Sequence, residues 1–227
     1  MSKNLFITGT GTDVGKTYVT GLILKHFRKS NKQAAYFKAA MSGNARLLDG
    51  SLVPGDAKQV KTMSGIDEPL EAMCPYIYEK AVSPHLASKL EGNAIEMKTI
   101  LQAFDKISKK ADFLTVEGSG GIICPLRFDE KKIMLEDFIQ ARHLPCVIVA
   151  DSGLGTINAV VLTVEYMRAH HITIKGLIFN RYQKANKLHG DNLAMCEKLT
   201  DVKVLTCVSE NDTDLNLSIE ALEKLYE

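Results

Sequence analysis

This chain has almost no excess of charge of either sign. Lysine and arginine number 28 against 27 aspartates and glutamates, a formal net charge of +1. No strong pull toward nucleic acid or an anionic membrane follows, and neither is expected as a partner. Long hydrophobic runs are missing too. No apolar stretch approaches the length needed to cross a bilayer. The first residues, Met1-Ser-Lys-Asn-Leu-Phe, run straight into strand-like sequence without a secretory leader, so a cytoplasmic protein is expected. None of the cysteines (Cys74, Cys124, Cys146, Cys196, Cys207) is spaced C-x-x-C, and most sit in apolar stretches. That pattern reads as buried reduced thiols, not as a disulfide framework or zinc site. The histidines are equally scattered, and His170-His171 ends a helical segment, where partial positive charge suits the helix dipole. Repeats, low-complexity tracts and linkers are absent, so residues 1–227 are read as one domain.

What is present gathers near the amino end. Gly9-Thr-Gly-Thr-Asp13-Val14-Gly15-Lys16-Thr17 follows the apolar run Leu5-Phe6-Ile7 and opens a helical pattern from Tyr18 to Phe27. A strand, a glycine-bearing turn and a helix make a cradle for phosphate, because turn N–H groups and the positive end of the helix converge there. Lys16 can reach the β- and γ-phosphates, and the Thr17 hydroxyl can bind Mg²⁺. Residues Asp13, Val14, Gly15, Lys16, Thr17 and Tyr18 are therefore the candidate nucleotide cradle. The generic phosphate-loop pattern leaves four residues between its glycines. Here Gly9 and Gly15 enclose five, and Thr10 holds the usual first-glycine place.

Apolar runs of strand length alternate with helical patterns along the rest of the chain. Strands are predicted at Asn4–Thr8, Ala34–Lys38, Phe113–Glu117, Cys146–Ala150, Ile174–Phe179 and Lys203–Thr206. Helices are predicted at Lys16–Lys29, Ala57–Met63, Pro84–Leu90, Ile95–Lys109, Leu135–Ala141, Ile157–His170, Asn192–Leu199 and Ser218–Tyr226. Several strands are apolar on nearly every residue, as when both faces are covered. The alternation predicts an α/β fold of three α/β/α layers around a mostly parallel sheet, of phosphate-loop NTPase type. Met41 to Gly55 and Arg181 to Gly190 are predicted as loops.

In such sheets ligands gather beyond the carboxyl ends of the strands. Lys38 stands there and can hold an anionic substrate group, or can be a solvated surface lysine. Asp56 opens a helical segment with capping-box spacing to Gln59, so it can cap that helix or contact Mg²⁺. Glu117 ends an apolar strand and is followed by Gly118-Ser119-Gly120-Gly121, where backbone can approach phosphate or substrate closely. Gly155-Thr156-Ile157-Asn158 form a second helix start suited to a carboxylate or phosphate, with Asp151 just before it as a helix-start residue or metal carboxylate. Asn180, with Arg181 beside it, can hydrogen-bond a purine edge or serve as a turn residue.

These pieces, in this order, resemble the dethiobiotin synthetase family. The family pattern G-T-x-T-x-V-G-K-T fits Gly9 to Thr17, including the extra residue. Lys38 with Ser42, Asp56 before a helix, Ser83-Pro84-His85, Glu117-Gly-Ser-Gly-Gly121 and Asn180 follow, so the resemblance covers roughly residues 4 to 180. It implies a ligase that takes 7,8-diaminononanoate, CO₂ and a nucleoside triphosphate and closes a cyclic urea through a carbamic–phosphoric anhydride. It implies Lys16 and Lys38 as catalytic residues, Mg²⁺ on Thr17, Asp56 and Glu117, and nucleotide contacts from Gly118, Ser119, Gly120, Asn180 and Arg181. Lys38 and Ser42 would hold the reacting end of the substrate. Its far carboxylate would meet Gly155 to Asn158 of the other subunit of a homodimer. Asp13 stands where the family usually has Glu, and the turn after the last strand, Thr206 to Asp212, lacks the family's proline. ATP is the default co-substrate and GTP the alternative.

Two other readings share parts of this pattern. A nucleotide-dependent switch of the partitioning or division-site type has the same fold, but usually carries an extra lysine early in the loop, which Gly9 to Val14 does not offer. An amidotransferase-type synthetase normally adds a glutaminase domain, for which 227 residues leave little room.

Overall fold

The structure, a computed structural model, describes residues 2–227. The first half comprises β1 (Lys3–Gly9), α1 (Lys16–Lys29), β2 (Ala34–Lys38), β3 (Ala40–Met41), β4 (Ala45–Arg46), β5 (Leu52–Val53), α2 (Gly55–Ser64), α3 (Leu70–Met73), β6 (Tyr76–Ile77), α4 (Pro84–Leu90) and α5 (Met97–Ser108). The second half comprises β7 (Phe113–Glu117), β8 (Pro125–Phe128), β9 (Lys132–Met134), α6 (Leu135–Ala141), β10 (Cys146–Asp151), α7 (Thr156–Ala169), β11 (Ile174–Asn180), α8 (Lys187–Thr200), β12 (Val204–Cys207) and α9 (Ile219–Leu225).

Six strands form the central sheet in the order β12-β11-β10-β1-β7-β2, with every pairing parallel. Alternation along the strands sorts side chains to two cores. Leu5, Ile7, Tyr36, Val147, Val149 and Ile178 pack with α1, α2 and α9 on one face. Phe6, Phe37, Leu114, Val116, Ile148 and Phe179 pack with α5, α6, α7 and α8 on the other. These are the three α/β/α layers expected, and the near-continuous apolar runs follow from burial on both faces.

The chain winds from β1 out to β2 and back to β7, then crosses to β10 on the other side of β1. The carboxyl ends of β1, β2, β7, β10 and β11 therefore line one rim around this reversal, where ligands bind in open parallel sheets. Register partners across that rim include Lys38 with Glu117 and Asp151 with Asn180.

Two predicted loops need correction. Met41 to Gly55 contains the antiparallel pair β4–β5 and the start of α2. Each of its strands is two residues long, too short to carry a period. Arg181 to Gly190 gives way to α8 at Lys187, where the Asn186 side chain accepts from Leu188 N at 3.1 Å as an N-cap. The short elements α3, β3, β6, β8 and β9 had no counterpart among the predicted ones.

Candidate functional site

A cavity of about 680 Å³ opens at the rim. Its walls bring together Asp13, Gly15, Lys16, Thr17 and Tyr18 from the loop and α1, Lys38 and Ser42 from beyond β2, Asp56, Glu117 with Ser119 and Gly120, and Asn180 with Arg181. Val14 and Gly118 do not line it. Val14 packs in the core on the α1 face. Gly118 sits against Phe6 and Leu135, so closely that a Cβ there would lie 3.0 Å from the Phe6 ring. Gly155, Thr156, Ile157 and Asn158 lie outside this cavity as well.

The Lys38 ammonium is part of the cavity wall. Lys38 is buried, which overturns the alternative of a solvated surface lysine. Its Nζ donates to Asp56 Oδ2 at 2.6 Å and to Glu117 Oε1 at 2.7 Å. The Thr17 hydroxyl donates to the same Glu117 oxygen at 2.8 Å, and the Tyr36 hydroxyl donates to Glu117 Oε2 at 3.0 Å. Both oxygens of this buried carboxylate are thus satisfied, which a charge removed from water requires. Burial alone would lower the Lys38 pKa, but the facing carboxylates of Glu117 and Asp56 outweigh it and raise it above the ordinary lysine value. Burial, then Glu117, pushes the Tyr36 phenol up, so it stays a donor.

Asp56 is the second residue of α2, not its cap. The N-cap position belongs to Pro54, and no side chain caps the helix. The Asp56 carboxylate instead faces Lys38, so the capping alternative does not hold.

Lys16 is also buried and curls back so that Nζ donates to the Gly11 carbonyl at 2.9 Å. Burial first, and the Lys38 charge second, lower its pKa to about 8. Gly15 precedes α1 at φ +95°, and a Cβ built on it would lie 1.9 Å from Asn180 Nδ2. Only glycine fits both constraints. Asn180 Nδ2 donates to the Val14 carbonyl at 3.1 Å, and Arg181 Nη2 donates to the Asp13 carbonyl at 2.7 Å. Ser119 Oγ donates to the Ala40 carbonyl at 2.8 Å.

The donor set for a divalent cation can be tested on these contacts. Among the described residues no group of three or more His, Cys, Asp and Glu is placed to hold a metal ion. Mg²⁺ at a nucleotide, however, takes one or two carboxylates and completes its shell with phosphate and water. Asp56, Glu117 and Thr17 are hard oxygen ligands converging on a point where a lysine ammonium already finds favourable charge. The residues fit.

Asp151 does not line the cavity. It pairs with Arg181 Nη1 at 2.6 Å and accepts from Gly153 N at 2.8 Å. At the start of α7, Gly155 is left-handed and the Thr156 hydroxyl is buried without a hydrogen-bond partner. All five cysteines are free, four of them buried.

Sequence reasoning missed Thr12, Gln59, Glu210 and Asn211, which line the cavity. It also missed Tyr36, buried behind the wall, although its place two residues before Lys38 on β2 puts both on one face. The Tyr18 hydroxyl donates to the Asp212 carbonyl, which holds the turn bearing Glu210 and Asn211 against the start of α1.

The sequence model of the AAA domain family matches residues 3–216. An ATP-dependent dethiobiotin synthetase BioD of Brachyspira hyodysenteriae is 46% identical over 228 residues, covering 100% of both chains. Another, of Clostridium botulinum strain Alaska E43, is 42% identical over 227 residues, covering 100% of this chain and 99% of the relative. Among solved structures, a ParA family ATPase from Chlorobium tepidum TLS aligns with TM-score 0.54 at 11% identity, covering 99% of this chain and 88% of that one. The MinD cell division protein of Aquifex aeolicus aligns with TM-score 0.55 at 12% identity, covering 98% and 86%. At such identity these two structures bear on the fold alone, which is of phosphate-loop NTPase type. No helix among the described residues is long and apolar enough to cross a membrane.

Proposed function

The chain belongs to the dethiobiotin synthetase family, and from that premise we propose that its rim cavity carries out ATP-dependent closure of a ureido ring on 7,8-diaminononanoate and CO₂. The whole chain is read as one domain serving this reaction. The observation that carries the site assignment is the Lys38 ammonium set between Asp56 and Glu117, beside Lys16 and Thr17. A switch ATPase is not favoured, because proteins of that kind share only the fold at 11–12% identity.

The chemistry divides into three bond-forming steps. One substrate amine attacks the CO₂ carbon and loses a proton, giving a carbamate. A carbamate oxygen then attacks the γ-phosphorus, and the bond to the β,γ-bridging oxygen breaks, releasing ADP. The second amine attacks the carbamoyl carbon; phosphate leaves, a proton is lost and the ring closes. Phosphoryl transfer needs mainly positioning and neutralisation of spreading negative charge.

The residues divide that work. Lys38 keeps its proton and acts as a fixed positive charge, not a base. It pairs with the carbamate and holds the attacking oxygen toward the phosphorus, with Ser42 beside it. Lys16 leaves the Gly11 carbonyl to meet the β- and γ-phosphates. Thr17, Asp56 and Glu117 hold Mg²⁺, which when bound offsets phosphate charge. The loop from Asp13 to Tyr18, with Ser119 and Gly120, surrounds the phosphates. Asn180 has an Nδ2 hydrogen bonded to Val14, leaving its Oδ1 free to accept from an adenine amino group. In a homodimer, the Gly155–Asn158 helix start of a second copy receives the far carboxylate of the substrate. The buried, unpartnered Thr156 hydroxyl supports that assignment.

The test is incubation with labelled bicarbonate, diaminononanoate and each nucleoside triphosphate in turn. Labelled cyclic urea should form only when all three are present, fastest with ATP. Vigorous hydrolysis without the diamine would refute this reading.

A further inference from the structure

Two peptides of the phosphate loop are gripped from outside by the end of β11. Arg181 Nη2 donates to the Asp13 carbonyl and Asn180 Nδ2 to the Val14 carbonyl. In a trans peptide the carbonyl and the following N–H point in opposite directions, and no described peptide bond is cis. Drawing these two carbonyls toward β11 therefore turns the N–H groups of Val14 and Gly15 away from it. Neither N–H donates to another protein group among the described residues. Free N–H groups ahead of a helix are what phosphate binds.

The loop does not hold this shape by preference alone. Asp13 sits at φ +60°, a left-handed conformation disfavoured for a residue with a side chain. Arg181 is itself left-handed at φ +55°. Its guanidinium is fixed at the other end by Asp151 Oδ2 at 2.6 Å. Asp151 sits opposite Asn180 in the β10–β11 register and also accepts from Gly153 N, so the anchor is part of the sheet rim. Arginine serves the two acceptors from separate nitrogens fixed in one plane, Nη1 and Nη2, whereas a lysine would have to serve both from a single Nζ.

We propose that Arg181, anchored by Asp151, is a positioning residue that sets the Asp13–Val14 peptide for the triphosphate. The inference rests on the nucleotide reading of the cavity. Arg181 lines that cavity, so direct contact with phosphate is the competing role. Asp151 does not line it, and its side chain is linked to the phosphate loop through Arg181.

The experiment titrates the full chain with a fluorescent ATP analogue and follows phosphate release at saturating substrates. Both groups of the pair are partly exposed, so Arg181→Ala should weaken analogue binding only about two- to fivefold. Asp151→Asn should weaken it nearly as much, and the double variant no further than Arg181→Ala alone. Arg181→Lys should stay impaired in affinity, and in Asp151→Asn kcat at saturating nucleotide and the melting temperature should hold. Unchanged affinity in Arg181→Ala, additive losses in the double variant, or full recovery in Arg181→Lys would overturn the positioning role. Wild-type protein that fails to bind the analogue would overturn the nucleotide reading itself, whereas wild-type binding with an unaffected Arg181→Ala overturns this inference alone.

Discussion

The two buried lysines divide the electrostatic work in opposite ways. Lys38 is held by two carboxylates and keeps its proton far above neutral pH. Lys16 has only a carbonyl partner and loses its proton at about 8. Triphosphate charge placed beside Lys16 favours its ammonium form, so nucleotide binding is linked to proton uptake. Working the sign through, the affinity is complete below a pH of about 8 and declines above it. Titrations across pH should show the dissociation constant flat on the acid side and rising about tenfold per pH unit on the alkaline side. Lys16→Met should abolish that slope and lower turnover by a factor on the order of 10² to 10³; a slope that persists in the variant would assign it to another group. Lys38→Met leaves Glu117 buried without its cation. Removing one member of a buried pair costs about 3–5 kcal/mol; Asp56 is partly exposed and adds little to that. This variant should melt at a lower temperature, still bind the ATP analogue, and form no cyclic urea. Retained product formation would remove Lys38 from the carbamate.

At the scale of elements, the junction of β1 and α1 is tightly constrained. Gly15→Ala places a Cβ on Asn180 Nδ2 in a backbone region that side chains rarely adopt. Strain of about 1–3 kcal/mol is expected, with a melting temperature lower by on the order of 5 °C. Circular dichroism melts read that loss, and analogue titration should show nucleotide binding lost with it. The same junction explains what was legible in the sequence. Lys16–Lys29, Ala34–Lys38, Pro84–Leu90, Phe113–Glu117 and Leu135–Ala141 were predicted with the bounds the structure has, because periodicity and caps are local. The β4–β5 hairpin was not, since a two-residue strand has no pattern to read. Glu117 and Lys38 were each legible as strand-end residues. Their direct pairing was not, because the β2–β7 register joins segments 79 residues apart. Tyr36 was missed for the same reason: its hydroxyl acquires a role only when β7 brings the Glu117 carboxylate beside it.

At the scale of the whole molecule, the rim cavity and the start of α7 occupy different places on one chain. Leu154, 93% exposed, and Leu162, 62% exposed, lie just before and along α7. A second copy covering this apolar surface would bring its own Gly155–Asn158 to the cavity, as the proposed homodimer requires. Shared sites make a sharp prediction about mixtures. Lys16→Ala damages the cavity of its own subunit, and Asn158→Ala damages only the site to which that helix start is lent. Random pairing of equal amounts makes about half the dimers mixed. In each mixed dimer one site combines both lesions, and the other combines the intact cavity of one subunit with the intact helix start of the other. About a quarter of wild-type activity should therefore return on mixing two variants that are each nearly inactive alone. Co-refolding the variants at several ratios and assaying cyclic urea formation checks this, with the maximum expected at equal amounts. If each subunit carried a complete site, every site in the mixture would keep one lesion, and activity would stay at the level of the two variants measured separately.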